Sequence, residues 1–460
     1  MQPPCDPELL AKTLKNRRQQ LAALLEYPVV LWSGQSVPRN FPQNRFPLRA
    51  SSHFLYFAGL PLEQGVIRME AGRLELFVDE SMTADALWHG VTPKRDELAH
   101  WIGADAAFPL AALKARATGS ATIPVQEATT RQLQVQTLGR PLPEAQELQG
   151  MDRALAQAIA ALRLVQDAAA LVELRQAAQV TVKTHLAGMA NTLNAQTEAE
   201  IWAVMEQVLM AHGMTTAYNS IVTVKGEVLH NHHHYHCLQQ GELLLADVGA
   251  ETAMGWAADV TRTWPVSGQF SATQRDIYDI VVAAHDACIS KVCPGVEYRD
   301  IHLLAATVIA QGLVDLGILR GCAEDLVAVD AHALFFPHGV GHLLGLDVHD
   351  MEDLGDLAGY ELGRKRSDRF GLEFLRLDRP LKAGMLVTIE PGFYQVPAIL
   401  QDPQRRSKYQ NCVNWDRLAQ FADVRGIRIE DDVLVTETGS EVLTAALPTA
   451  ADAIERQVKG

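Results

Sequence analysis

Four segments in the second half of the chain gather carboxylates and imidazoles beside glycine turns or at the ends of apolar runs: LLADVGAE with AADVTRTWP, FFPHGVGHLLGLDVHD, VTIEPGFY and GIRIEDD. An acid on an apolar β run is costly to bury unless it is paired or holds a cation. Asp259 between Ala258 and Val260, Glu390 in VTIEPG and Glu430 in IRIEDD share that character. Asp247, close to Gly249, reads on its own as a turn residue. Two hard divalent ions in one site call for several carboxylates, which bridge the ions and offset their charge, while an imidazole takes a terminal position. These segments offer two aspartates, two glutamates and histidines enough for that chemistry.

Other chemistries fit less well. His338 and His342 stand four apart, but Gly339 occupies the place where a helical zinc protease carries its glutamate. Gly339, Gly341 and Gly345 miss the spacing of a dinucleotide loop by one residue. The run from His230 to His236 has the composition of a loose metal-binding tract, although solvated loop histidines account for most such runs.

Residues so far apart in sequence need strands to bring them together. Strands are expected at 220–224, 242–247, 256–264, 386–389, 426–431 and 433–436, with helices at 152–169, 171–191, 198–212, 274–292 and 298–316. Helices on one side of an antiparallel sheet imply α+β. Ahead of them, a helix at 8–25, strands at 27–32 and 54–60 and a hairpin of 66–70 with 74–78 indicate a smaller α/β domain. The Pro-, Gln- and Gly-rich stretch at 134–150 separates domains at 1–150 and 151–460.

Composition narrows the class. A 460-residue chain is long enough for two domains, and 48% apolar with 21% charged residues is that of a soluble protein without a membrane span. The net charge of -15 disfavours nucleic acid as a partner. The N-terminus lacks the pattern of a secretory signal, so the cytoplasm is the expected compartment. Six cysteines without CxxC pairs are expected to be reduced and mostly buried.

Taken together the motifs resemble the pita-bread metallopeptidases, in the aminopeptidase P and prolidase branch. VLH, ADVGAE, DVTRTWP, HGVGHLLGLDVHD, TIEPGFY and GIRIEDD occur in the family's order, and NRFPLRASSHFLYFAGL and ALWHG are similar to its non-catalytic domain. The resemblance implies a C-terminal pita-bread fold, a curved antiparallel sheet backed by helices, behind the smaller domain. It implies Asp247, Asp259, His342, Glu390 and Glu430 as ligands of two divalent ions, with manganese preferred because the ligation is oxygen-rich. Glu390 would also take a proton from the attacking water, His230 and His349 would stabilise the tetrahedral intermediate, and His338 would support them. Arg428, Arg376 and Tyr394 would surround the proline-side residue. Trp88 matches a tryptophan that reaches a neighbouring subunit's site, implying a homodimer or homotetramer, the alternative being an ordinary core tryptophan.

The implied activity is that of an Xaa-Pro aminopeptidase acting on peptides with proline in second position. The alternatives are an Xaa-Pro dipeptidase and a pita-bread binding module without catalysis. Two departures stand out. Asp247 and Asp259 are twelve positions apart where the family commonly has eleven, which points to an extra residue in the turn around 252–255. The insert at 397–424 is more similar to prolidases.

Overall fold

Asp6 accepts a hydrogen bond from the Leu9 amide at 2.9 Å and Pro7 takes the first helical position, so the opening helix runs Pro7–Ala22. The structure, a computed structural model, describes residues 6–81 and 86–460. The chain divides into two units, one running to Leu164 and rejoined by Met351–Ala358, the other made of Val165–Asp350 and Gly359–Gly460. The helix Gly150–Arg163 packs on the opening helix and goes with the first unit. The units therefore part after Leu164, beyond the 134–150 stretch from which the sequence starts its second domain.

The first unit holds a four-stranded sheet in the order Val29–Trp32, Val66–Glu70, Arg73–Phe77, Ala106–Phe108, with only the last pair parallel. The expected hairpin is present, turning at Ala71 and Gly72, both with positive φ. The strand expected at 54–60 is instead the helix Ser52–Ala58. All its residues are buried, so an apolar run carries no alternation to separate strand from helix, and Gly59 at φ 66° ends it as a left-handed cap. The returning segment is fastened here as well: His53 Nε2 lies 2.9 Å from Asp353 Oδ2, and its Nδ1 lies 3.0 Å from Arg163.

The helix expected at 152–169 stops at Arg163, because Asp167 caps the next helix, Ala168–Asn191 of the second unit, by accepting from the Ala170 amide at 2.8 Å. That helix packs with Glu198–Ala211, and Ala272–Lys291 packs with Tyr298–Asp315. No single helix among the described residues is long and apolar enough to cross a membrane. The strands come in short antiparallel groups: Leu243–Asp247 between Ile221–Thr223 and Thr261–Pro265, Asp431–Val435 between Leu386–Ile389 and Ser440–Val442, and Gly392–Tyr394 against Gly426–Arg428. Backbone bonds outside the ladders join the groups, including Glu430 N–H to Thr261 O at 3.0 Å and Thr388 N–H to His342 O at 3.0 Å.

The fully buried Glu198 accepts from the Val224 and His236 amides at 2.8 and 3.0 Å. His236 Nδ1 adds a contact at 2.9 Å to the same carboxylate, and His234 stacks on Trp202. Part of the histidine run is thus structural rather than solvated. Of the described cysteines, all of them free, only Cys288 is buried, and Cys237 and Cys322 are exposed, against the expectation of mostly buried thiols. Those two sit on surface loops, outside the packed layers.

Candidate metal centre and substrate cleft

Asp247 ends the Leu243–Asp247 strand, and its neighbour strand begins at Thr261. Asp259 therefore precedes that strand instead of lying within one at 256–264. Residues 252–256 are taken up by a turn, closed by Thr252 N–H to Trp256 O at 2.9 Å and Gly255 N–H to Thr252 O at 2.8 Å. Beyond the turn the two arms are zipped by Val248 N–H to Val260 O and Ala258 N–H to Ala250 O, at 3.1 and 2.9 Å. The Asp259 amide donates to Asp432 Oδ1 at 3.1 Å, fixing its height over the sheet.

The other groups arrive from the opposite side. Glu390 follows the Leu386–Ile389 strand, with its amide on Val340 O at 2.8 Å, and the Thr388 bond holds His342 beside it. Glu430 bridges the end of one strand and the start of the next, and its Oε2 accepts from Thr261 Oγ1 at 2.7 Å. Asp247, Asp259, His342, Glu390 and Glu430 all line one cleft of about 440 Å³, as do His230, His338, His349, Arg376 and Arg428. Ligand atoms of Asp259, His342 and Glu430 lie within 4.8 Å of one another.

His342 Nδ1 is 2.9 Å from the Leu343 carbonyl, which can only accept, so the ring hydrogen sits on Nδ1. The lone pair of Nε2 then faces Asp259 Oδ2 at 3.3 Å and Glu390 Oε1 at 3.6 Å. Three negative edges turned toward one point call for a cation between them. The acids show the same stress: burial, aided by Asp247, pushes Asp259 up to about 7, burial pushes Glu390 up to about 7, and burial with Asp259 and Glu390 drives Glu430 well above the carboxylate range. Carboxylate oxygens with one imidazole nitrogen form the donor set of a hard divalent ion.

Two residues missed in the sequence complete the frame. Tyr218 Oη lies 2.6 Å from Asp247 Oδ1 and 2.5 Å from Asp259 Oδ1. Arg262, fully buried, donates to the Glu430 carbonyl at 2.6 Å and to both Asp431 oxygens at 2.9 and 3.0 Å. No local signal marks Tyr218, whose partners are 29 and 41 positions away. Arg262 stood inside DVTRTWP and could have been found as a charge in an apolar strand.

The predicted substrate residues divide. His349 packs on His342 with ring centroids 4.2 Å apart. Arg428 is spent on the frame, bonding Asp247 Oδ2 at 2.6 Å, Thr261 Oγ1 at 2.9 Å and the Tyr394 hydroxyl at 2.9 Å. Tyr394 is fully buried and meets His338 Nε2 at 2.9 Å, while His338 Nδ1 donates to the Gly339 carbonyl at 2.7 Å. Burial, with Arg428, pushes His338 down to about 3, so it is a neutral link in this chain. Burial and Arg428 also lower His230. Trp88, on the short helix Ala86–His89 of the first unit, is 78% exposed, which excludes the core-tryptophan alternative.

Comparison with known proteins adds family and fold. Metallopeptidase family M24 matches residues 172–437, and the aminopeptidase P N-terminal domain matches residues 14–122. A probable Xaa-Pro aminopeptidase of Tuber melanosporum is 30% identical over 406 residues, covering 86% of this chain and 84% of that one. Among solved structures, aminopeptidase PepP of Pseudomonas aeruginosa aligns at TM-score 0.78 and 27% identity over 98% of both chains. Proline aminopeptidase P II of Yersinia pestis aligns at TM-score 0.79 and 28% identity, over 98% of this chain and 99% of that one.

Proposed function

This chain belongs to metallopeptidase family M24, with an aminopeptidase P N-terminal domain ahead of the catalytic one, and from that premise we propose how its cleft is used. The protein is a metallo-aminopeptidase that hydrolyses the bond between an N-terminal residue and a following proline. The dipeptidase alternative finds no support among the relatives. Its C-terminal part has the pita-bread fold, and the smaller domain precedes it.

In our reading Asp247, Asp259, His342, Glu390 and Glu430 hold two divalent ions, manganese by preference. When bound, the ions polarise the scissile carbonyl and make water a nucleophile near neutral pH. The observation that carries the assignment is His342 Nε2 turned toward Asp259 and Glu390 beside Glu430, a nitrogen and carboxylate oxygens gathered as a divalent cation's ligands would be. Tyr218 and Arg428 hold Asp247 in place, and Arg262 holds Glu430 through its carbonyl.

Glu390 takes the proton of the attacking water on a carboxylate oxygen and returns it toward the leaving nitrogen. A proline nitrogen carries no hydrogen in the peptide, so a peptidase cannot hold the scissile bond by that N–H and must supply a proton as the bond breaks. His349 and His230 donate to the carbonyl oxygen as it becomes anionic. His338 orients Tyr394 and takes no part in proton transfer. Arg376 meets a carbonyl or carboxylate of the leaving peptide. The exposure of Trp88 supports a homodimer or homotetramer in which it meets a neighbouring subunit.

The test is a panel of Xaa-Pro-Yaa peptides and Xaa-Pro dipeptides in manganese buffer, run beside metal analysis of wild type and Asp259→Asn. Tripeptides are expected to be cleaved with the higher kcat/KM, releasing the free first amino acid, and N-acetylated peptides to resist. Asp259→Asn is expected to lose activity and at least one metal. Full turnover and unchanged metal in that variant would remove Asp259 from the site.

A further inference from the structure

The 397–424 insert has no role in the chemistry above, yet it reaches the cleft. It folds as three short α-helices, Pro397–Leu400, Pro403–Lys408 and Trp415–Leu418, and a 3-10 turn at Ala419–Phe421. It is built into the catalytic unit. Gln395 at its base donates from its amide to Arg425 O at 2.9 Å and from Nε2 to the Phe421 and Val424 carbonyls at 2.7 and 2.9 Å. Farther along, Arg320 N–H bonds Cys412 O and Asn414 N–H bonds Ile318 O, both at 2.8 Å. Its own Leu400, Tyr409, Val413 and Phe421 are buried. A segment pinned at both ends and in its middle is a fixed wall.

Ile399 of that wall and Val396, the residue at its foot, line the cleft and are half-buried. The floor of the same cleft is acidic, with Asp247, Asp259 and Glu430 all buried. The aminopeptidase reading puts the scissile bond at this floor with a single residue ahead of it, so the first residue lies deepest and the rest of the chain runs outward. An extended chain advances about 3.3–3.6 Å per residue, so the residue after the proline comes about 7 Å nearer the mouth than the first. The mouth is where apolar side chains become accessible: Val396 and Ile399 half-buried, and Phe374 56% exposed. Half-exposed apolar groups converging on a cleft are the usual complement of an apolar ligand group.

Resting on the peptidase reading above, we propose that the insert is a specificity element, and that Val396 and Ile399 form the apolar wall for the side chain of the residue following the proline. The insert then selects apolar third residues, while the first residue is read elsewhere. An acidic or small residue at position 399 removes that selection without touching the groups that perform the hydrolysis.

The experiment compares kcat/KM of wild type, Ile399→Ala, Ile399→Asp and Val396→Ala on Gly-Pro-Leu, Gly-Pro-Gly and Leu-Pro-Gly in manganese buffer, with melting curves to confirm folding. The Leu-to-Gly preference at the third position is expected to fall about fivefold or more in Ile399→Ala and further in Ile399→Asp, the scale of lost apolar contacts in a binding pocket. The Leu-to-Gly preference at the first position should stay within about twofold. Ile399→Val keeps the branched shape and should retain most of the preference, and Val396→Ala carries the test if the other variants unfold. An unmoved third-position ratio, or a change at the first position instead, overturns the proposal. Failure of wild type to cleave any of the three peptides would refute the peptidase reading itself, a different outcome.

Discussion

Gly249 passes so close to Ala258 that a Cβ at position 249 would sit 1.8 Å from the Ala258 carbonyl oxygen. The two residues lie on the arms that carry Asp247 and Asp259, and the contact sets how near those arms approach. Because the obstacle is backbone and is held by the Ala258–Ala250 bond, it cannot swing aside as a side chain would. Gly249→Ala is therefore expected to push the arms apart, costing on the order of 1–3 kcal/mol as an overpacked site does. Metal affinity should fall with it. Urea unfolding and metal titration check both, and a variant with wild-type metal affinity would show that the arms move independently of the site.

His349→Ala is expected to keep the bound metal and lose about 10²–10³ in kcat, the effect of deleting a hydrogen-bond donor to an oxyanion. Its ring packs on His342 without sharing the Nδ1 bond that orients that ligand. Metal analysis beside steady-state kinetics decides the matter. Metal loss in the variant would mean that His349 is needed for ligation.

Arg262 and Asp431 form a buried ion pair behind the cleft, joined by His285 Nε2 at 3.0 Å from Asp431 Oδ2. Arg262→Leu removes the carboxylate's arginine partner, leaving it only His285 and Thr444, and takes a donor from the Glu430 carbonyl, so it should cost up to about 3–5 kcal/mol. Adding Asp431→Asn to Arg262→Leu should recover part of the loss, since the uncompensated charge is then gone. A double-mutant cycle by urea denaturation measures the coupling. Strict additivity would mean that Arg262 acts through its carbonyl bonds alone.

Acid should weaken the first unit through Asp353. Burial pushes this carboxyl upward, but His53 and Arg163 outweigh burial and hold it below the ordinary carboxylate range. Its stabilising contribution is accordingly present above the unfolded value of about 4 and is lost as pH falls through the lower folded value. At pH 7 Asp353→Asn should be the less stable protein, and the gap to wild type should shrink as pH drops below about 4. Unfolding free energies across that window test the sign. A gap that widens toward acid would contradict it.

What the sequence determined by itself was the chemistry. Acids placed in apolar surroundings, as at Asp259, Glu390 and Glu430, announce a cation because burial without one is too costly, and that signal is local enough to read from neighbours along the chain. The hairpin at Val66–Phe77 and the helices with marked caps or periodicity were legible for the same reason. The tertiary structure decided what depends on distant partners. The helix Ser52–Ala58 was indistinguishable from a strand because every face of it is buried, and Asp259 fell before its strand because the turn at 252–256 used the residues a strand would have taken. Tyr218 joined the two aspartates, Arg428 was engaged by Asp247 and Tyr394 rather than left wholly to the substrate, and the insert with the residue at its foot brought Ile399 and Val396 to the cleft. A hydrogen bond between residues far apart in sequence leaves no trace in either one's neighbours, so only the folded chain could assign them.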